Sequence, residues 1–454
     1  MFLLNPDQVL SVFFTSYLIN NLWVVIAAVL VFMMTIAVGF LEIGELGNDF
    51  SHSLLKTITI SATALFVMAI VGFNTAFAPT LDGIIGNPLY PSGLLLGAFS
   101  PYSAGSLTNV WWSMSSTGFG TYLTTGTYYL FESAFASVTL ALVAVILLNK
   151  VKFKAFFIYS IVYFVIIWNL PAAWIWNPSG WLYGLGMRDF AGGLVVHGAA
   201  GAAGLGIVYQ IWREEKAKGL KESPRISIHI SEGWITLSIL LLWVGWFGFN
   251  PGSVLEFNGD VPVVVITTFL ASAAAFISVM LFSYFDNGEN PGILYGVNGI
   301  LMGLIIITPL AGFVSPGSAF VLGLLGGPLF IISEKYFSKL KWLTDPVGLF
   351  PGHFVGGIFG ISMIAFFTQN SYATASGNPS LPSGLLFGGG INALGQLGTE
   401  LLGVVVVVAV VFTISFLTMW AIGKAIGGIT ANETVPMSEK KEIMDAAYEA
   451  KYFP

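Results

Sequence analysis

Two stretches decide how this chain folds: Asp189-Phe-Ala-Gly-Gly-Leu-Val-Val-His197 and Asp345-Pro-Val-Gly-Leu-Phe-Pro-Gly-His353. In each, an aspartate precedes a histidine by eight residues, and the offset between copies is 156 at both positions. Glycines that permit close helix packing follow each histidine, Gly198, Gly201 and Gly204 in the first copy and Gly356, Gly357 and Gly360 in the second. The copies open the fifth and tenth of the apolar runs along the chain, so they enter their helices from opposite faces. That is the pattern of an inverted repeat, whose functional site lies near the midplane where the halves meet. Eight helical residues cover about 12 Å. Starting from opposite surfaces of a hydrocarbon core about 30 Å thick, both imidazoles reach its middle.

The rest of the chain fits a bilayer. Its 454 residues would suggest roughly three soluble domains, but 56% hydrophobic residues against 9% charged leave too little polar surface to solvate them. Apolar stretches fall at about 21–45, 57–80, 120–148, 155–176, 193–212, 232–252, 261–285, 291–312, 316–334, 346–368 and 396–423. Runs of about 20 apolar residues are long enough to cross as helices. The expected fold is therefore an all-α polytopic membrane protein of eleven transmembrane helices. Inverted repeats of five occupy about 21–212 and 232–368, with one further helix at about 396–423. This makes one transmembrane domain, 1–423, and a polar tail, 424–454. The N-terminus carries Asp7 and neither a basic n-region nor a small-residue cleavage site, so it reads as a retained segment and not as a secretory signal.

An odd number of spans puts the termini on opposite sides, and positive charge assigns the sides. Lys56, the lysines at 150, 152 and 154, the five cations of 213–225, the lysines at 335, 339 and 341, and the four of the tail all fall on one side, leaving only Arg188 on the other. This expectation places the tail in the cytoplasm, the N-terminus outside, and the protein in the cell membrane as a multi-pass chain. The long, nearly uncharged segments 81–119 and 369–395 would cap the outer face. Segment 213–229 is a charged internal linker, and 430–454 is polar enough to be partly disordered or to fold on the cytoplasmic face.

Composition also excludes functions. A formal net charge of −6 supplies no basic surface for nucleic acid. Without cysteine there is no disulfide, iron–sulfur cluster or thiol nucleophile, and four histidines leave little for a structural zinc site. No cofactor, metal centre or enzymatic activity is expected.

A single intramembrane histidine is often just a polar residue bonded to a neighbouring helix, but two at matched places in an inverted repeat point to a pathway. His52 and His229 lie near the cytoplasmic loops. Asp189 and Asp345 suit capping of helix N-termini, where a carboxylate accepts from unpaired N–H groups and complements the helix dipole. Asp189 has a second reading, orienting a main-chain carbonyl or stabilising a cation outside.

These residues resemble the Amt/Mep/Rh ammonium transporter superfamily, most closely its Amt branch. Asp189 to His197 with the following glycine is similar to the family's fifth-helix signature, Trp246-Phe-Gly-Phe-Asn250-Pro-Gly-Ser253 to its sixth, and Asp345-Pro-Val-Gly with His353-Phe-Val-Gly-Gly to its tenth. Phe131-Glu132-Ser-Ala-Phe135-Ala and Ala-Trp174-Ile-Trp176-Asn-Pro-Ser-Gly-Trp181 fit two further segments, in the family's order.

The resemblance implies that Trp176, Phe135 and Ser253 form an outer recruitment site for ammonium, with Asp189 nearby. An aromatic face attracts a small cation and a hydroxyl oxygen accepts its hydrogens. Taken alone, Trp176 reads as an interfacial belt aromatic. Phe135 and Phe249 would be the stacked pair closing the pore; taken alone, each is ordinary helix packing. Below them His197 and His353 would line an apolar conduit and share a proton. Imidazole is donor and acceptor at once and titrates near neutral pH, whereas potassium has no proton to shed. The resemblance further implies a homotrimer.

The chain also departs from the pattern. Glu132 stands where the family commonly has an uncharged amide, and a carboxylate there must be paired, protonated or wet. It is a candidate for tuning the outer site, being one turn from Phe135. Phe350 and Phe354 around His353 are bulkier than usual. The tail only loosely resembles the family's tail that contacts PII-type regulators. The expected function is ammonium transport through a pore in each subunit. The competing readings are an ammonium sensor signalling from the same site and an Rh-type gas channel, the latter disfavoured by Trp176 and Ser253.

Overall fold

The computed structural model describes residues 6–431 apart from 47–49, 91–122, 148–149, 220–230, 288–291, 341, 344 and 346–347, with side chains given from residue 14 onward except at 45, 46 and 50. Most of segment 81–119, most of linker 213–229 with His229, and the tail beyond 431 thus lie outside the described residues. Among the described residues, eleven helices are long and apolar enough to span a membrane. Spans 1 to 5 are Phe14–Gly44, Ser51–Phe77, Thr125–Leu147, Phe153–Ile175 and Gly193–Ala217. Spans 6 to 10 are Glu232–Gly252, Asp260–Phe285, Ile293–Leu310, Pro316–Phe337 and Leu349–Phe367, and span 11 is Gly390–Ile426. The chain is an all-α multi-pass membrane protein.

Helix boundaries shift from the hydropathy reading where polar side chains cap or extend a helix. Span 3 starts at Thr125, not near 120, because the Thr124 hydroxyl accepts from the Thr127 amide at 3.0 Å and fixes the first turn. Span 11 starts before residue 396, since Gln396 is satisfied inside the bundle by donating to Gly186 O and Glu400. Span 10 starts at Leu349 because Gly348, with φ +75°, turns the chain just ahead of it.

Span 1 packs along span 6, and span 5 against span 10, so helices holding corresponding places in the two halves are neighbours. At the second contact a Cβ on Gly357 would collide with the carbonyl of Gly193, so the glycine sets how closely the helices approach. A buried ion pair between Lys56 and Glu42 ties span 2 to span 1.

Past span 11 the chain turns at Gly427 and Gly428 and is clamped. Glu214 accepts from the amides of Ile429 and Thr430, Lys152 donates to the carbonyls of Gly427 and Gly428, and Val151 pairs with Thr430 in an antiparallel bridge.

Candidate functional site: a vestibule, an aromatic pair and two histidines

The repeat seen in the sequence has a counterpart in backbone geometry. Gly192 (φ +110°) and Gly348 (φ +75°) occupy the left-handed region, and each is followed by a π-helical turn, Gly193–Gly198 and Leu349–Phe354. Both elements keep the offset of 156. The Asp189 carboxylate accepts from the amides of Gly192, Gly193, Leu194 and Val195 at 2.7–3.0 Å. Asp345 accepts from Leu349 and Phe350 at 2.9 and 2.8 Å, the same positions shifted by one repeat. A π turn widens the helix locally and is frequent at functional sites. Here it carries the histidine in both halves.

The two imidazoles meet. Nδ1 of His353 lies 3.1 Å from Nδ1 of His197, and both rings are buried. His197 stacks against Phe249, with centroids 5.7 Å apart and planes 11° apart, and also lies 5.8 Å from Trp246. Phe249 in turn contacts Phe135 at 4.4 Å, and Phe135 meets Trp176 edge-on at 5.7 Å. The order Trp176, Phe135, Phe249, His197, His353 is thus a continuous file of rings drawn from spans 3, 5, 6 and 10 and from the loop after span 4.

At the Trp176 end opens a vestibule of about 450 Å³, lined by Trp176, Phe135, Ser253, Asp189 and Glu132 among others. Every residue singled out for the recruitment site is present. The geometry divides their duties. The Trp176 indole donates to the main-chain carbonyl of Asp189 at 2.7 Å, which fixes the ring, and the Ser253 hydroxyl donates to Phe249 O at 2.9 Å, leaving its lone pairs available. Asp189 spends its carboxylate on the four amides of the cap. Burial pushes its carboxyl above the usual aspartate range, and the four N–H donors pull it back. Of the two readings of Asp189, capping accounts for all its side-chain hydrogen bonds.

Several residues of the site escape a reading by motif. Trp246 donates to the Thr308 hydroxyl at 3.3 Å, that hydroxyl shares its hydrogen between Leu304 O at 2.7 Å and the Asn250 carbonyl oxygen at 3.1 Å, and the Asn250 amide donates to Thr268. Trp246 and Asn250 belong to the sixth-helix signature, but Thr308, and Thr268 beside Thr267, are hydroxyls in apolar helices with no sequence signal. Arg188 is tied to Asn378 at 3.0 Å, to the Tyr183 and Met187 carbonyls, and through its amide to Glu400. No group of three or more His, Cys, Asp or Glu able to hold a metal occurs among the described residues.

Eleven apolar spans around a vestibule lined by aromatic rings, with two buried histidines in contact beneath it, are the frame of a membrane transport protein. The chain belongs to the ammonium transporter family, whose model matches residues 22–448. It is 30% identical over 376 residues to the ammonium transporter of Bacillus subtilis, covering 81% of this chain and 84% of that one. It is 28% identical over 407 residues to a putative ammonium transporter of Methanothermobacter thermautotrophicus, covering 88% and 90%. Among solved structures it superposes on one titled sensor Amt protein with a TM-score of 0.75 at 26% identity, covering 92% and 96%. Mep2 of Saccharomyces cerevisiae has the same fold, with a TM-score of 0.74 at 24% identity, covering 92% and 88%. The family is one of transporters, not of enzymes.

Proposed function

We propose that this protein recruits ammonium at the vestibule formed by Trp176, Phe135 and Ser253, removes its proton near the Phe135–Phe249 pair, and conducts ammonia past His197 and His353. The observation that carries the reading is the 3.1 Å contact between the two imidazoles directly beneath that pair. A bare cation entering this apolar passage loses its hydration with little in return. A neutral ammonia molecule crosses at far lower cost, and the imidazole pair offers a hydrogen-bonded route for the proton. Trp176 and Phe135 stabilise the waiting cation through their ring faces, and Ser253 accepts one of its hydrogens.

The vestibule opens to the outside and the tail to the cytoplasm on this reading, in agreement with the sidedness of the Lys and Arg residues. The functional unit is a homotrimer with one pore per subunit, and a PII-type regulator is the candidate partner for the cytoplasmic face. The transporter unit of residues 1–423 extends to Ile426, where span 11 ends, and the residues that follow are the cytoplasmic tail.

The second reading is an ammonium sensor that uses the same vestibule, suggested by the likeness to the structure titled sensor Amt protein. Solid-supported membrane electrophysiology on proteoliposomes separates the two. Transport predicts a current on addition of ammonium and none with potassium. Ammonium binding without current or ammonia flux supports the sensor.

A further inference from the structure

Three carboxylates line the vestibule, and their oxygens are not equally engaged. Asp189 gives both to the capping amides, and Glu256 accepts from Asn258 at 2.7 Å. Arg188, the cation on the wall, is committed to Asn378 and two carbonyls and lies over the Tyr183 ring at 4.1 Å. Glu132 differs from all of these. It is 4% exposed and shares one hydrogen bond with Tyr128, a turn earlier on span 3, while its Oε2 has no hydrogen-bond partner among the described residues.

An acceptor oxygen buried without a donor is costly, and a ligand that brings an N–H relieves that cost. The surroundings narrow the choice. Phe131, Phe135 and Trp176 present ring faces and edges to the same space, an environment that suits a small cation carrying N–H donors. An anion would meet three carboxylates, and an apolar guest would leave Oε2 unsatisfied.

Resting on the recruitment reading above, we propose that the Glu132 carboxylate is a direct ligand of the recruited ammonium, accepting one N–H at Oε2 while Ser253 accepts another and the rings of Trp176 and Phe135 enclose the rest. The site then neutralises its cation within the pocket, and Tyr128 positions the carboxylate by holding its other oxygen. Occupancy at low external ammonium follows from this charge and not from the aromatic cage alone.

The test is equilibrium binding of ammonium chloride to the detergent-solubilised full chain, followed by intrinsic tryptophan fluorescence and calorimetry, beside the ammonium-evoked current of the same preparations in proteoliposomes. Glu132→Gln keeps shape and removes charge. It should raise the dissociation constant at least fivefold at pH 7.5, and Glu132→Ala should raise it further. Glu132→Asp, which keeps the charge one methylene back, should recover part of the loss and serves if the Gln variant is poorly produced. Dissociation constants within twofold of the parent for the Gln and Ala variants overturn the proposal. A charge-dependent dissociation constant without any current would sustain Glu132 as a ligand and overturn transport. Normal current with unchanged binding in the Gln variant would do the reverse. No ammonium binding by the parent protein would overturn both.

Discussion

Nδ1 of His197 and Nδ1 of His353 stand 3.1 Å apart, although the two residues are separated by 156 positions and enter from different halves of the bundle. Each ring is delivered by the same local sequence of events: an aspartate cap, a glycine in the left-handed region, and a π turn ending at or just beyond the histidine. A hydrogen bond between two Nδ1 atoms allows one of them to carry the hydrogen and requires the other to accept it. The pair in its neutral form must therefore contain opposite tautomers. Nitrogen-15 NMR of imidazole-labelled protein should show one Nδ1–H and one Nε2–H ring, each lost with its own His→Ala variant. Two Nε2–H rings would rule out the contact as drawn.

The caps make a graded prediction. Among the described residues, Asp189→Ala strands four amides and Asp345→Ala strands those of Leu349 and Phe350. Loss of an N-terminal cap costs about 0.5–2 kcal/mol, and additional buried donors left without acceptors add about 1–3 kcal/mol. Asp189→Ala should lower the melting temperature in detergent clearly more than Asp345→Ala. Equal shifts would mean that the amides find other acceptors.

How much of this was legible beforehand depends on the kind of signal. The eleven spans could be counted because each apolar run must satisfy the bilayer by itself, and the paired histidines could be matched because Asp and His sit at equal spacing in both copies. Phe135, Phe249, Trp176 and Ser253 were found through the resemblance; as lone residues among 38 Phe and 13 Trp they carry no mark. The π turns could not be read at all, since a π turn is a difference of one residue in hydrogen-bond register with no composition of its own. Thr308 and Thr268 were missed for a related reason. A hydroxyl in an apolar helix usually bonds to its own backbone, as Thr139 does to Phe135 O and Thr308 to Leu304 O, and nothing in the sequence tells when it also meets a side chain of another helix, as Thr308 and Thr268 meet Asn250.

The buried Lys56–Glu42 pair should behave as an interdependent unit. Removing one partner leaves an uncompensated charge and costs about 3–5 kcal/mol, while replacing both with apolar groups of similar volume is often neutral. Lys56→Met should reduce thermal stability and yield sharply, and the double variant Lys56→Met with Glu42→Leu should regain most of both. A double variant as unstable as the single would show that the pair contributes through its remaining contacts and not through charge compensation.

The clamp on the first residues after span 11 is a small set of local bonds, so it should open without unfolding the bundle. Glu214→Ala removes the acceptor for the Ile429 and Thr430 amides. Amide hydrogen exchange at Ile429 and Thr430 should speed up by at least tenfold, with span 11 unchanged. Exchange that stays slow would indicate that Lys152, Lys218 and the Val151–Thr430 bridge suffice to hold the segment.

Phe249 has two jobs in the geometry. On one side it closes against Phe135 at 4.4 Å, and on the other it lies nearly parallel to the His197 ring. Phe249→Ala removes the ring that meets Phe135, where the proposed passage closes, and also takes away the surface against which His197 is stacked. A Phe→Ala change in a packed interior costs about 3–5 kcal/mol, so a cold-assembled, detergent-stable preparation is a first requirement of the measurement. Phe249→Leu retains volume while losing the flat face, and separates the two jobs. If closure is what excludes ions, the Ala variant should pass potassium in liposome flux assays at a rate at least ten times that of the parent, and the Leu variant should stay tight. If ring stacking is what keeps the histidines in register, both variants should lose the paired tautomer signature in the nitrogen-15 spectrum, whatever their potassium flux. An Ala variant that remains impermeable to potassium and keeps the histidine signature would remove Phe249 from both roles and leave the constriction to Phe135 and Trp246.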